Sequence, residues 1–266
     1  MHINHWFAAG LLGFLLSGCA NPQIAPTPET RQALAPTGKL RVAFVSAAIY
    51  ASKDPASGEL KGIAVDLGNE LARRVGAPFQ PVLYPNPGAI IAGAKSGEWD
   101  VALMGINAER AAVIDFSPPY AEVEQTYLVR PGVPIAAVSD VDKTGIRVGV
   151  LEKGGADVLL SATLKNATLV RVKTAPELFA LTDSGKADVI AASTTALLDA
   201  SQKQQGSRVL SGRILAEPLG MGLPKGRSAA AAAYVGRFVE EAKTEGLVKA
   251  AIDRAGVRGV AVAPPR

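Results

Sequence analysis

The chain has 266 residues, of which 48% are hydrophobic and 20% charged, and its net charge is +4. That apolar mass sustains a packed core and excludes a disordered chain. Lys and Arg are scattered rather than clustered into a run that could track a phosphate backbone, so no nucleic-acid partner is expected.

The N-terminal apolar run Trp6 to Leu16 is too short to span a bilayer, which takes about 20 residues, and fits the core of a secretory signal, expected over 1–18. It ends in Leu16-Ser17-Gly18-Cys19. This tetrapeptide resembles the lipobox of bacterial lipoproteins, which implies cleavage before Cys19 and a diacylglycerol thioether on its sulfur. The usual basic N-terminal region is missing, with only His2 and His5 in its place. Cys19 is the only cysteine, so it cannot form an internal disulfide; the alternative to lipidation is an ordinary buried thiol. Ala20 follows where Asp is associated with inner-membrane retention, which is compatible with outer-membrane sorting. Both histidines fall in the segment to be removed, and the mature chain then has neither His nor a free Cys. Ser-His-Asp and Cys-His catalysis are excluded, zinc loses its usual ligands, and no metal or cofactor is expected.

Residues 19–38 carry Pro22, Pro26, Pro28 and Pro36 among small polar residues and read as an extended tether. Folded sequence starts at Lys39, with a buried-strand pattern from Leu40 to Val45. A helix is predicted over Ile63 to Val75, where Asp66 and Glu70 come early and Arg73 and Arg74 late, as the helix dipole favours. A strand at Gln80 to Tyr84, a helix around Ala89 to Ala94 and a strand from Trp99 to Met104 follow. Strands alternating with helices predict a parallel sheet covered on both faces.

An internal echo runs through the middle of the chain. Arg41-Val42-Ala43-Phe44-Val45 returns as Arg147-Val148-Gly149-Val150-Leu151, and Ser96-Gly97-Glu98-Trp99-Asp100-Val101 as Ser184-Gly185-Lys186-Ala187-Asp188-Val189. Coincidence between common βα patterns is one explanation; the other is two similar lobes, each an open α/β sheet. Ligands of such sheets bind beyond the carboxyl ends of the strands. Those ends fall at Val45-Ser46 and Gly105 in the first lobe and at Leu151-Glu152 and Ser193 in the second.

Three further stretches carry a family resemblance: Gly62-Ile63-Ala64-Val65-Asp66-Leu67; Asp100-Val101-Ala102-Leu103-Met104-Gly105 with Glu109-Arg110; and Ile114-Asp115-Phe116-Ser117-Pro118-Pro119-Tyr120. Over roughly Lys39 to Gly256 the chain resembles the family-3 solute-binding proteins of ABC importers, the group with polar-amino-acid receptors. The resemblance implies an α/β, two-lobed periplasmic-binding-protein fold. Lobe 1 would be 39–130 with a return over 220–256, lobe 2 would be 131–219, and 257–266 would form a C-terminal tail. Crossings are expected near Leu128 to Val133 and Glu217 to Met221, hinges that let the lobes close. The partners implied are a small-molecule solute and an ABC permease, with the receptor a lipid-anchored monomer at the periplasmic or cell surface.

The resemblance also implies site residues. Arg110 stands where amino-acid receptors pair a guanidinium with the ligand's α-carboxylate, and Gly105 would let backbone approach the ligand. The loop is two residues shorter than usual, with Asn107 in place of a hydroxyl residue, and Arg110 could instead be a surface residue paired with Glu109 or Asp115. Gly154 and Gly155 could form an anion-binding nest or a flexible turn. Ser193 falls where such receptors carry the Asp that neutralises the α-ammonium, so the cleft as read holds a positive charge without its negative complement. Glu124 is a candidate replacement or a solvent-facing strand residue. Ser193, Thr194 and Thr195 could offer hydroxyls or cap a helix, and Tyr50 could stack on the ligand or simply pack. The expectation is a non-enzymatic receptor for a small polar, carboxylate or amino-acid-like solute. The alternatives are a dehydratase-like enzyme drawing its acid from Glu124, Glu152 or Asp157, and a sensing or assembly module acting in trans.

Overall fold

The computed structural model describes residues 25–54 and 56–266. The signal segment and Cys19 lie outside these residues. A short helix, α1 (Pro28–Leu34), comes first, begun by Thr27, whose side chain accepts from the Thr30 amide. The tether expected over 19–38 is therefore not extended throughout: Leu34 is fully buried in the core of the first lobe.

The first lobe then follows the predicted alternation. Strand β1 (Leu40–Val45) leads through a small hairpin, β2 (Ser52–Lys53) and β3 (Leu60–Lys61), to α2 (Ile63–Val75). Gly62 starts α2 because its φ of 143° and the nearness of the Tyr50 carbonyl, 2.5 Å from where a Cβ would sit, exclude any side chain there. Next come β4 (Phe79–Tyr84), α3 (Pro87–Ser96), β5 (Val101–Gly105), α4 (Ala108–Ala111) and β6 (Ile114–Phe116). β1 pairs in parallel with β4 on one side and β5 on the other.

Strand β7 (Ala121–Val129) carries the chain into the second lobe, built from β8 (Arg147–Leu151), α5 (Gly155–Thr163), β9 (Thr168–Val172), α6 (Ala175–Asp183), β10 (Val189–Ser193), α7 (Thr194–Lys203) and β11 (Arg208–Val209). β8 lies parallel to both β9 and β10. The chain returns on β12 (Leu215–Pro224) and finishes with α8 (Ala229–Thr244), α9 (Leu247–Ala255) and β13 (Val260–Val262). Residues 257–266 are more than a tail, since β13 pairs with β7 and Ala263 is buried.

β7 and β12 are the two crossovers, and they run antiparallel. The first half of β7 pairs with β12 and the second half with β10, so Gln125 is opposite Leu215 in one pairing and Ser193 in the other. The sheet passes from lobe to lobe at this residue. The cores divide accordingly: one cluster holds Phe44, Leu71, Trp99 and, from the return, Phe238; two smaller ones cover the faces of the second-lobe sheet, with Val148 and Leu160 on one side and Leu178 and Ile190 on the other.

The sequence echo has a physical counterpart. In the first lobe Asp100 accepts from the Arg41 amide at 3.0 Å, from Nε at 3.0 Å and from Nη2 at 2.8 Å. In the second, Asp188 accepts from the same three groups of Arg147 at 3.0, 3.0 and 2.8 Å. Each arginine–aspartate fork ties the start of one strand to the start of its neighbour, a geometry that a bidentate guanidinium supplies and an ammonium does not. The glycines of the echo match as well, both left-handed at φ 68° at the end of the preceding helix: Gly97 after α3 and Gly185 after α6.

Candidate functional site

The two lobes face each other across a cleft of about 540 Å³ at the carboxyl ends of β1, β8 and β10. Its first-lobe wall is the loop from Val45 to Tyr50 with Arg110, its floor is Gln125, Leu128 and Glu217 from the crossovers, and its second-lobe wall comes from β10, the start of α5 and the lengths of α6 and α7. Apolar side chains such as Ile49, Leu151, Leu178 and Phe179 dominate the walls.

Arg110 is held in place by local sequence. Asn107 caps α4, its Oδ1 accepting from the Arg110 amide at 2.9 Å, and this turn aims the guanidinium inward. Only 2% of Arg110 is exposed. Its Nη1 donates to the Gly105 carbonyl at 2.6 Å and to Glu217 Oε1 at 3.1 Å, and its Nη2 donates across the cleft to the Lys153 carbonyl at 2.7 Å. The other Glu217 oxygen accepts from Gln125 Nε2 at 2.6 Å. Burial raises the pKa of Glu217, while Arg110 and Gln125 pull it the other way. Burial likewise pushes the Tyr50 phenol above its ordinary value, with Glu217 adding to the effect. The surface pairing of Arg110 with Glu109 or Asp115 is not what forms, since Glu109 pairs with Lys153 instead.

Two glycines pack closely against this ion pair. A Cβ on Gly105 would overlap the Glu217 carboxylate, and one on Gly155 would lie 2.5 Å from Glu217 Cδ and 2.6 Å from both oxygens. The carboxylate thus fills the space between a strand end of the first lobe and the first turn of α5 in the second. Gly154 is the N-cap of α5, but its amide donates to the Leu151 carbonyl at 2.9 Å and is not open to a ligand.

Tyr50, Arg110, Gly154, Gly155 and Ser193 line the cleft, and Gly105 backs it through its carbonyl. Ser193 also caps α7, accepting from the Ala196 amide at 3.4 Å. Three predicted residues are elsewhere. Asn107 acts through the α4 cap rather than on the cleft. Thr194 donates to the Glu124 carbonyl at 3.2 Å, on the side facing β7. Glu124 is about half exposed and pairs with Arg213 at 3.1 Å, so it does not replace the missing carboxylate. The buried carboxylate beside Arg110 is Glu217, so the expected unbalanced positive charge is compensated within the protein. Glu217 left one trace in the sequence, as the lone charge in the otherwise uncharged stretch Leu215 to Pro224.

Residues 40–254 match the family model of the bacterial extracellular solute-binding proteins, family 3. The chain belongs to that family. Among the relatives of this solute-binding protein, the ABC transporter glutamine-binding protein GlnH of Bacillus subtilis is 26% identical over 190 residues, which cover 69% of this chain and 68% of the relative. In structure, the solute-binding protein resembles a variant of ArgBP from T. maritima, with a TM-score of 0.74 at 23% identity over 85% of this chain and 99% of the other. It also resembles an ABC-transporter binding component from Wolinella succinogenes complexed with lysine, with a TM-score of 0.69 at 26% identity over 82% and 95% of the two chains.

Proposed function

We propose that this family-3 protein is the lipid-anchored receptor of an ABC importer, capturing a small polar solute between its lobes outside the cytoplasmic membrane and presenting it to the permease. The observation that carries the reading is the cleft itself: a small-molecule-sized space, walled by both lobes and floored by the two strands about which they can hinge. Its apolar walls favour a solute with an apolar body, while Arg110, Gln125, Glu217 and Ser193 offer polar groups where the lobes meet. Cys19 is the proposed attachment point of the lipid, and the receptor is proposed to act as a monomer.

The dehydratase reading required an acid among Glu124, Glu152 and Asp157, none of which lines the cleft. Asp157 is committed to the Lys153 amide, Ser161 and Arg171. The buried acid that does face the cleft, Glu217, has one oxygen engaged by Arg110 and the other by Gln125. A thermal-unfolding screen of the full chain in detergent against amino acids and related small metabolites tests the proposal. A true solute at one hundred times its Kd stabilises the protein by about 2.7 kcal/mol; a complete screen without a stabilising compound contradicts the proposal.

A further inference from the structure

We infer that Glu217 is a built-in carboxylate that occupies the cleft's anion site, so that the solute is recognised there without a carboxylate of its own, through a neutral or cationic head such as an amine, amide or alcohol. The inference rests on the reading of the cleft as the solute site and specifies the class of solute it takes.

Two features of the cleft are suited to a carboxylate: the buried Arg110 guanidinium and the first turn of α5 at Gly155. Both are turned on Glu217, which is 3.1 Å from Arg110 Nη1 and against Gly155. Arg110 Nη1 has both its hydrogens engaged, on the Gly105 carbonyl and on Glu217, and Nη2 already serves the Lys153 carbonyl. A second carboxylate brought to this cation would be placed beside the first, where like charges repel. Gly105 and Gly155 leave room for the Glu217 carboxylate and little else. Around Arg110 the cleft therefore presents a paired cation, an acceptor in Glu217 and the Ser193 hydroxyl, while Leu151, Leu178 and Phe179 can receive an apolar body.

The test uses propionate as probe, with sodium chloride as the ionic-strength control, in thermal unfolding and calorimetric titration of the full chain. The wild type should respond to propionate no more than to chloride. Glu217→Ala vacates the anion site and should acquire saturable propionate binding, tighter than wild type by about tenfold to a hundredfold, the worth of a charged hydrogen bond. The double variant Arg110→Ala/Glu217→Ala should lose it again. If the alanine variant does not fold, Glu217→Ser likewise vacates the anion site and should bind propionate more tightly than wild type. Saturable propionate binding by the wild type equal to that of the variants, or no gain in either variant, overturns the inference. Because no natural solute enters this experiment, its failure is separable from failure of the receptor proposal, which shows as an empty solute screen.

Discussion

The substitution Gly155→Ala tests whether Glu217 is wedged between the lobes. Gly155 does not have a positive φ, and as the first residue of α5 it accepts alanine without backbone strain. Helix propensity even favours the change, by up to about 1 kcal/mol. The new methyl would nevertheless lie 2.5 Å from Glu217 Cδ, whereas ordinary contact begins at 3.4 Å, so the lobes or the side chain must yield by roughly 0.9 Å. Overpacking of this size costs about 1–3 kcal/mol. The cost falls on the closed arrangement alone, because Gly155 belongs to one lobe and Glu217 to the crossover strand. The closed population should drop roughly fivefold to 150-fold, giving a larger radius of gyration in small-angle scattering, while unfolding of each lobe keeps its wild-type midpoint. An unchanged scattering curve together with Glu217 still seated on Gly155 in a crystal structure would refute the argument.

Asp100→Ala removes a fully buried carboxylate from Arg41 and from Arg227, 2.6 Å away, and should destabilise the protein by about 3–5 kcal/mol in denaturant unfolding. The same change at Asp188 should cost less, because its partner Arg147 is 41% exposed. Arg147 holds the Asp188 pKa below its ordinary value, so this carboxylate contributes stability above the unfolded value of about 3.9 and loses it as pH falls through the folded one. Unfolding midpoints measured from pH 7 down to pH 3 should fall more steeply for wild type than for Asp188→Asn; parallel curves contradict the assignment. Cys19→Ser should move the protein from the membrane fraction to the soluble extracytoplasmic fraction, and a variant that stays on membranes contradicts lipid anchoring.

Much of the fold was legible because it is written locally. The helix from Ile63 to Val75 has its bounds set by Gly62 and Gly76 and its face by apolar spacing, and expectation and structure agree on both ends. The Arg and Asp of the echoed strands were visible as repeats, though their bond to each other was not. α1 and β13 were missed because they are stabilised from outside: Leu34 by the first-lobe core and β13 by β7. The site was half legible. Arg110, Gly155 and Ser193 sit at strand and helix ends, where an open α/β sheet places ligand contacts. Glu217 was passed over as part of a crossing, since its meaning depends on a partner 107 residues away. Glu124 attracted attention instead, and nothing in the alternation of β7 distinguishes a cleft-facing acid from one paired on the surface.

Blocking the cleft shows whether one small solute is held between the lobes. Ala47 lines the cleft from the loop after β1, at the edge of the first-lobe core, so a folded Ala47→Trp variant carries its added ring in solute space. With the best-stabilising compound from the solute screen, calorimetric titration should give one solute bound per wild-type chain and no measurable binding to the folded Ala47→Trp variant. Undiminished binding by that variant would place the solute elsewhere and contradict capture between the lobes.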